Sequence, residues 1–451
     1  MAQSLPAPPD AGLVNALRFG TQTFRFIEGI QARFEDGTAV SLPGRPPLVI
    51  LTNPTLVHEA LARPENFRRV PAQRSAALIA ENGLVQSEGD LWRQQRSIMN
   101  PAFAGQQVRA YADTTGRTAA ALAHRWETEA PIPVNLHREL TAMTIRVATE
   151  VLLDEDIGEA RAEEFYEWMR IAGEQFEFGL DAVTPRWLPE RISPEFRRAA
   201  DGIRGLAEDL IDRRRETLSR DDDPADMLGR LLQAQAGPEI EMPDDQIRDE
   251  VATFLIAGHE TTALSLTYTL SLLSWHPEAS DRVRAEAVET LGEEPPTYAD
   301  LEKLAFTRQT YLEGLRLYPP AWAVFRQANG DVELGDYRIE DGSAVVMPQW
   351  SIHRDPRYFE APETFDPDRW ADREAQANTA YFPFASGPHA CIGRQFALSG
   401  ATLTLARLLR ALEFDVPGDA LDDLRVTPTL RPGDGVPATI RPVATVGVPS
   451  S

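Results

Sequence analysis

Cys391 is the residue with the clearest capacity for chemistry, and it is the only cysteine in the 451-residue chain. A single cysteine forms no internal disulfide and can bind a metal only as one thiolate. Gly387 and Gly393 flank it, and as glycines they permit positive φ and let a flat ligand approach the backbone closely. The apolar run from Gln395 predicts a helix directly behind the sulfur, whose N–H groups would stabilise the thiolate. The alternative is a buried cysteine that acts only as a small apolar side chain.

A second group of chemically capable residues lies on a long predicted helix, at residues 257–262 with the sequence Ala-Gly-His-Glu-Thr-Thr. Glycine inside a helix costs about 1 kcal/mol relative to alanine. Gly258 therefore marks either the crossing of another element or a helix surface left bare for a ligand. Thr261 can donate to such a ligand or to the carbonyl of Ala257, which would open the helix locally. Glu260 can relay protons from solvent; the alternative for it is a surface charge.

Two further spacings favour a scaffold and an anion site. Glu313 and Arg316 are three residues apart on one predicted helix face, and Arg369 follows later in a Pro-Asp-Arg-Trp segment. Trp92 and Arg96, four residues apart, place an indole N–H and a guanidinium on one face, where both can donate to a carboxylate. Each spacing is unspecific when taken alone.

Taken in order, these segments resemble the motifs of the cytochrome P450 family. Residues 384–393 resemble its haem-binding loop, Phe-x-x-Gly-x-(Arg/His)-x-Cys-x-Gly. Residues 257–262 resemble its oxygen-binding groove, and the two spacings resemble its Glu-x-x-Arg and Trp-x-x-x-Arg motifs. The resemblance covers roughly residues 30–445, but no motif covers residues 155–240.

The resemblance implies haem b as the cofactor, with the Cys391 thiolate as the axial ligand of its iron. Glu260 and Thr261 would steer protons to bound oxygen. The residues expected to contact the cofactor are Trp92, Arg96, Ala257, Gly258, Arg326, Phe384, Gly387, His389 and Gly393. The residues expected to form a buried scaffold network behind the haem loop are Glu313, Arg316 and Arg369.

The order of the elements predicts a mainly α protein with the cytochrome P450 fold. A large helical domain would surround a long central helix, residues 244–275, and a small β portion would be assembled from both ends of the chain. That helix contains no proline and would span about 45–50 Å. Residues 1–25 are expected to form a leader packed over the surface, and residues 26–451 a single domain.

The composition excludes some classes of partner. The chain has 69 acidic and 45 basic residues, a net charge of −24, and Lys303 is its only lysine. This acidic excess argues against nucleic acid and anionic membranes as partners. It fits a salt-in halophile such as a haloarchaeon; an acidic protein from a GC-rich bacterium is the alternative. Since no uncharged apolar run of about eighteen residues occurs and no signal peptide is evident, we expect a soluble, cytoplasmic monomer without a membrane anchor.

The reaction implied by the resemblance is insertion of one oxygen atom from O₂ into an apolar substrate, such as a fatty acid, terpenoid or carotenoid. Electrons would come from a separate ferredoxin or flavodoxin system. The alternatives are a peroxide-dependent peroxygenase or an isomerase on the same fold, and a non-enzymatic haem sensor. Five aromatic residues are predicted either to line a substrate pocket or to form a core stripe: Phe165, Tyr166, Trp168, Phe176 and Phe178.

Overall fold

Apolar side chains recur at helical spacing through most of the chain, and the computed structural model has helices at these positions. The structure describes residues 3–10, 12–42, 44–70, 74–176, 190–219, 223–237, 242–372 and 376–443. Its helices are α1 (Gly12–Thr21), α2 (Thr23–Gln31), α3 (Pro54–Leu61), α4 (Arg74–Ala77), α5 (Gly89–Met99), α6 (Gly105–Glu129), α7 (Leu136–Leu153), α8 (Gly158–Gln175), α9 (Pro194–Thr217), α10 (Met227–Ala236), α11 (Asp244–Ala257), α12 (Glu260–Trp275), α13 (Pro277–Thr290), α14 (Ala305–Leu317), α15 (Gln349–Ile352) and α16 (Arg394–Ala411). Short 3₁₀ helices cover Asn100–Phe103, Tyr298–Lys303 and Pro367–Trp370. The predicted mainly α fold is confirmed.

Short strands form small sheets at the side of the helices. They are β1 (Gln3–Ser4), β2 (Gly37–Leu42), β3 (Arg45–Leu51), β4 (Phe67–Arg68), β5 (Ile132–Asn135), β6 (Val324–Ala328), β7 (Val332–Leu334), β8 (Tyr337–Ile339), β9 (Ala344–Met347), β10 (Leu412–Asp415), β11 (Leu424–Val426), β12 (Leu430–Pro432) and β13 (Pro437–Pro442). The largest sheet has the order β2-β3-β9-β6-β4, and β3 pairs in parallel with β9. Strands from the first and last thirds of the chain therefore share sheets, as the sequence predicted.

Side-chain caps fix where several helices begin. The Asn53 side chain accepts a hydrogen bond from the Thr55 N–H at 2.8 Å, and Pro54 occupies the first turn of α3. Asn135 caps α7 in the same way, and Ser193 caps α9. Asparagine, serine and an early proline are the residues that helix starts favour, because they satisfy or remove unpaired N–H groups.

Helix α12 forms the centre of the helical region. Every residue from Ala263 to Leu273 is buried, and the helix packs against α7 and α14. Its hydroxyl groups donate to carbonyls one turn earlier, as Thr267 does to Ala263 at 2.8 Å. Because such hydroxyls are satisfied within the helix, and that of Tyr268 donates to the Leu430 carbonyl, the helix can be enclosed by apolar neighbours without the cost of unpaired polar groups.

The prediction of one continuous helix over residues 244–275 is wrong at Gly258 and His259. Helix α11 ends at Ala257 and α12 begins at Glu260. The Thr261 hydroxyl donates to the Ala257 carbonyl at 3.3 Å, which is the contact expected to open the helix locally. The interruption lies in the segment whose residues were predicted to border an oxygen site.

The first 25 residues contribute to the folded structure. Strand β1 pairs in parallel with β8, and Leu5 and Phe19 are buried. The division between a leader and a domain at residue 26 stays a prediction. Among the described helices, none combines the length and the apolar character that crossing a bilayer requires.

Candidate functional site

The loop before α16 folds back on itself, so that Cys391 near its end lies next to Phe384 near its start. The Cys391 N–H donates to the Phe384 carbonyl at 3.0 Å, and the Ala390 N–H donates to the Gly387 carbonyl at 3.1 Å. Gly387 has φ +71°, and a Cβ there would lie 2.1 Å from the carbonyl oxygen of Leu61. Glycine is therefore required at position 387 both by its backbone conformation and by its close contact with α3.

Gly393 differs from Gly387 in its backbone conformation. Its φ is −87°, so the freedom of glycine to adopt positive φ is not used at this position. A Cβ on Gly393 would meet only the Phe103 ring, at 3.8 Å. The Phe103 ring stacks on Phe254 of α11 at 5.8 Å. The Phe103 ring would therefore lie in ordinary van der Waals contact with such a Cβ, and the glycine itself adds no side chain that would keep a flat ligand from the backbone.

The Cys391 side chain has accessible surface although protein surrounds most of it. Burial raises the pKa of its thiol above the ordinary value, while the Gly393 N–H, Arg96 and Arg394 act in the opposite direction. Helix α16 begins at Arg394, close to the predicted Gln395. The stabilisation expected from the helix start is thus present, but in the chain alone burial outweighs it.

Four of the predicted cofactor contacts lie close together. The Trp92 and His389 rings are 4.2 Å apart and nearly perpendicular. Burial, together with the positive charges of Arg69, Arg326 and Arg96, lowers the pKa of His389 to about 3. Arg69 was not predicted from the sequence, because it has no recognisable spacing to the other residues of the cluster. Only the tertiary fold brings it close to them.

This cluster fits the two propionate groups of haem. Burial lowers the pKa of Arg69 to about 10, helped by repulsion from Arg326 and opposed by Glu88. The indole N–H of Trp92 is buried and has no partner among the described residues. Crowded guanidinium groups and an unpaired N–H donor are the groups that bound carboxylates would satisfy.

Ala257 and Gly258 have different surroundings. Ala257 is exposed and lines a cavity of about 500 Å³, here called the substrate cavity. A Cβ on Gly258 would point towards α7, where Leu152 and Ala148 lie 3.5 and 3.6 Å away. The geometry at Gly258 therefore favours the alternative of a packing glycine, whereas Ala257 presents a bare helix surface.

Glu260 is buried in an ion pair rather than on the surface. Its Oε1 accepts hydrogen bonds from Arg431 Nε at 2.5 Å and from the Thr429 hydroxyl at 2.6 Å. Burial alone would raise the pKa of this carboxyl, but Arg431, His259 and Thr429 together hold it below the ordinary value. The carboxylate is therefore ionised at neutral pH. Thr429 lies in the turn before β12 and Arg431 lies in β12, and neither has a spacing that could have revealed this contact.

The structure places Glu313, Arg316 and Arg369 together behind the loop. Arg316 donates to both carboxylate oxygens of Glu313, at 2.8 and 2.9 Å, and both side chains are fully buried. Arg369 is less close, at 3.6 Å, and the Trp370 indole N–H also donates to Glu313 at 2.8 Å. Removing one partner of such a buried pair typically costs about 3–5 kcal/mol. This arrangement suits a scaffold, and Trp370 is a member that the spacing did not predict.

The predicted aromatic stripe divides between core and cavity. Phe165 is fully buried against His259, with ring centres 4.9 Å apart, and Trp168 covers Gly202 of α9. Phe176 lines the substrate cavity. Tyr166 contacts His137, and Phe178 lies outside the described residues.

Comparison with known proteins identifies the family. The family model "Cytochrome P450" matches residues 9–432. The chain is 33% identical over 401 residues to cyclooctatin synthase of Streptomyces melanosporofaciens, covering 87% of this chain and 86% of that protein. It is 32% identical over 378 residues to cyclooctat-9-en-7-ol 5-monooxygenase of the same organism, covering 82% and 81%. The solved heme domain of cytochrome P450DA superposes with a TM-score of 0.83 at 27% identity, covering 98% of both chains.

These similarities and the geometry of the site define a haem-thiolate oxidoreductase. The chain belongs to the cytochrome P450 family, and its fold is the P450 fold. It is a monooxygenase of that family, whose members bind haem b through a cysteine thiolate. Within the described residues, no group of three or more His, Cys, Asp or Glu side chains forms another metal site.

Proposed function

We propose that this monooxygenase hydroxylates a terpenoid substrate, with Cys391 as the thiolate ligand and electrons supplied by a separate ferredoxin or flavodoxin. The substrate cavity of about 500 Å³ carries this proposal, because pockets of about 300–1,000 Å³ suit compact organic ligands. Its lining is largely apolar and includes Ile79, Val85, Phe176 and Val346. Relatives named for cyclooctatin and 11-oxo-beta-amyrin, which are terpenoids, support this substrate class over fatty acids.

In the overall reaction, O₂, two electrons and two protons convert one C–H bond to C–OH and release one water molecule. When bound, haem b supplies the iron centre at which O₂ is reduced and its O–O bond is cleaved. Trp92, Arg69, Arg96 and Arg326 hold the propionates. The Glu260 carboxylate accepts protons that arrive from water.

Two further side chains complete the roles that we propose for the site. Ala257 keeps the adjoining helix surface free of side-chain bulk. The Thr261 hydroxyl donates a hydrogen bond to oxygen when oxygen is bound.

The ligand assignment is tested by the absorption spectrum of the reduced protein under CO. The wild-type protein should show the strongly red-shifted Soret band of thiolate-ligated haem, since thiolate donates electron density to the iron. Cys391→Ser should lose this band although the loop keeps its fold. If the band persists in Cys391→Ser, the assignment of the ligand is wrong.

The substrate class is tested by a ligand panel of cyclic terpenoids and fatty acids of matched carbon number. A terpenoid should change the haem spectrum at lower concentration than the matched fatty acid and should be hydroxylated when a surrogate ferredoxin system supplies electrons. Tighter binding and faster turnover of fatty acids would contradict the terpenoid proposal. Product formed with peroxide but not with the reductase would indicate a peroxygenase instead.

A further inference from the structure

Glu260 separates two cavities. One is the substrate cavity, and the other, here called the side chamber, has a volume of about 180 Å³. The side chamber is bordered by His137 of α7, by Tyr166 and Arg170 of α8 and by the turn after β12. The residues that line both cavities, and so form the partition between them, are Met169, Gly173, Glu260, Thr427 and Arg431.

Arg431 holds this partition together. It forms its ion pair with Oε1 of Glu260 at 2.5 Å, and its Nη1 donates to the carbonyl of Met169 on α8 at 2.6 Å. Its Nη1 also occupies the space beside Gly173, where a Cβ would lie only 2.2 Å away. One guanidinium thus joins the C-terminal strands, the partition carboxylate and the last turns of α8.

The contacts of Glu260 are unequal at its two oxygens. Arg431 and Thr429 both donate to Oε1. Within the described part of the chain, no hydrogen bond to Oε2 occurs. An ionised carboxylate with one oxygen fixed and the other unengaged is oriented to accept and release a proton at that second oxygen.

The side chamber is also lined by His259, whose ring can accept a hydrogen bond from water. The His259 Nδ1 donates to the Leu255 carbonyl, because a carbonyl can only accept, and the neutral ring therefore has an unprotonated Nε2. This Nε2 is buried and has no partner among the described residues. Burial lowers the pKa of His259 to about 4 and that of His137 to about 3, so both rings are neutral acceptors. Polar walls of this kind hold ordered water.

We propose that Arg431 is a positioning residue that keeps Glu260 ionised, with Oε2 free, so that protons reach the oxygen site from the side chamber and not through the substrate cavity. Each proton passes from chamber water to Oε2 of Glu260. Oε2 then releases it towards the Thr261 hydroxyl, and this release regenerates the carboxylate. The substrate cavity can then remain apolar while two protons are consumed in each turnover. This inference rests on the proposed monooxygenase function.

The ionisable groups around Glu260 are consistent with this role. Arg431 faces it from β12, His259 precedes it in the helix break, His137 approaches from α7 and Tyr268 lies on α12. With both imidazoles neutral, Arg431 is the cation that balances the carboxylate among these groups. Its removal would leave only His259 and the Thr429 hydroxyl to oppose burial, and we expect Glu260 then to be protonated at neutral pH.

The test compares Arg431→Gln and Arg431→Lys with a matched control, Arg425→Gln. Arg425 lines the same chamber from β11 but pairs with Asp434, at 3.7 Å, rather than with Glu260. With a surrogate reductase, Arg431→Gln should lower product formed per electron pair by about tenfold, since general acid–base steps typically contribute at least that much. It should also increase the solvent deuterium isotope effect. Arg431→Lys should retain most of the coupling, and Arg425→Gln should match the wild type.

Infrared difference spectroscopy gives a readout that does not depend on turnover. Arg431→Gln should show the carbonyl stretch of a protonated carboxyl group, and this band should disappear in Arg431→Gln/Glu260→Gln. The thiolate–CO spectrum reports that the variants fold and bind haem, and Arg431→Met, which also removes the cation, replaces Arg431→Gln if that variant does not. Loss of that spectrum from the wild type would refute the proposed function. A normal spectrum combined with wild-type coupling and no new carboxyl band in Arg431→Gln or its replacement would overturn the role of Arg431 alone.

Discussion

Thr261 can use its hydroxyl in two ways. In the structure it donates to the Ala257 carbonyl across the helix break, and it directly follows Glu260. Thr261→Ala should retain haem and substrate binding while diverting reducing equivalents to peroxide, because the oxygen side loses its ordered proton donor. The product formed per electron pair and the peroxide released measure this diversion.

Thr262→Ala is the control for this prediction. Thr262 faces a cavity of about 20 Å³ near Phe396 and Gly400 of α16, away from the substrate cavity. We expect Thr262→Ala to couple electrons to product as the wild type does. Unchanged coupling in Thr261→Ala would remove that residue from the proton route.

Gly387 and Gly393 have different requirements although both flank Cys391. Gly387→Ala must place a Cβ at φ +71° and 2.1 Å from a backbone oxygen, so we expect a loss of at least about 2 kcal/mol of folding stability. Gly393→Ala has φ −87° and a Cβ in ordinary contact with Phe103; the haem-free protein should lose less than about 0.5 kcal/mol. Denaturant unfolding and haem titration measure the two effects.

If haem lies against Gly393, Gly393→Ala should weaken haem binding without destabilising the haem-free protein. Equal destabilisation by the two substitutions would contradict this distinction. The sequence predicts both glycines as neighbours of a flat ligand, and this stays a prediction. It could not distinguish them, because the conformation at each position depends on Leu61 and Phe103, which are distant in the chain.

The same limit applies to the charged groups of the site. Glu313 and Arg316 could be paired from their spacing, because a helix brings positions three apart onto one face. Arg69, Trp370 and Arg431 complete their clusters from other segments, and no periodicity relates them to their partners. Contacts formed only by tertiary folding are therefore the part of this site that the sequence leaves open.

At the scale of elements, α11 holds the loop that precedes α5. Asp249 accepts hydrogen bonds from the Glu81 and Asn82 N–H groups, at 3.0 and 2.9 Å. Glu250 accepts one from the Leu84 N–H at 3.0 Å. Residues Val85 and Gln86, directly after this loop, line the substrate cavity. The helix that ends at Ala257 thus also fixes one wall of the substrate cavity.

Glu250 should make this attachment sensitive to pH. Burial raises the pKa of its carboxyl from 4.5 to about 8. The folded chain therefore retains a proton that the unfolded chain has released, so stability should fall as pH rises from about 4.5 to about 8. The slope from this one group is at most about 1.4 kcal/mol per pH unit. Glu250→Gln should remove that component, and its stability relative to the wild type should increase with pH across this window.

Denaturant unfolding of both proteins between pH 5 and about 9 measures this difference. Glu81→Gln removes an exposed carboxylate from the same loop and serves as the control. It should give a curve parallel to that of the wild type. Parallel curves for Glu250→Gln and the wild type would show that Glu250 is not held protonated.

At the scale of the whole molecule, the fold was predictable because its motifs are local and ordered along the chain. The sequence also predicted sheets that join both ends of the chain, and β3 pairs with β9. It misjudged the central helix only at Gly258 and His259. There a hydroxyl–carbonyl contact competes with regular helix geometry, and helical periodicity does not register such a competition.

The charge of the molecule leads to a prediction about salt. The net charge is −24, and exposed ion pairs such as Arg146–Asp156 and Arg161–Asp209 are neutral overall and leave this acidic excess unchanged. Salt weakens both the repulsion and these pairs, and the screening length is already only about 3 Å at 1 M. Screening alone therefore predicts little change in stability at higher concentrations. If the acidic surface is adapted to a cytoplasm rich in salt, the melting temperature should continue to rise in KCl above about 1 M.

Thermal unfolding across a KCl series tests this prediction, with an NaCl series to separate the identity of the cation from ionic strength. A rise that continues above about 1 M cannot come from screened repulsion, so it would indicate hydrated cations bound by the carboxylate surface. A greater effect of KCl than of NaCl would favour selective binding of K⁺. A melting temperature that is already maximal at ordinary ionic strength would contradict halophilic adaptation. The arginine-rich composition would then be explained by genomic base content, which can replace lysine by arginine without changing how the stability of the protein depends on salt.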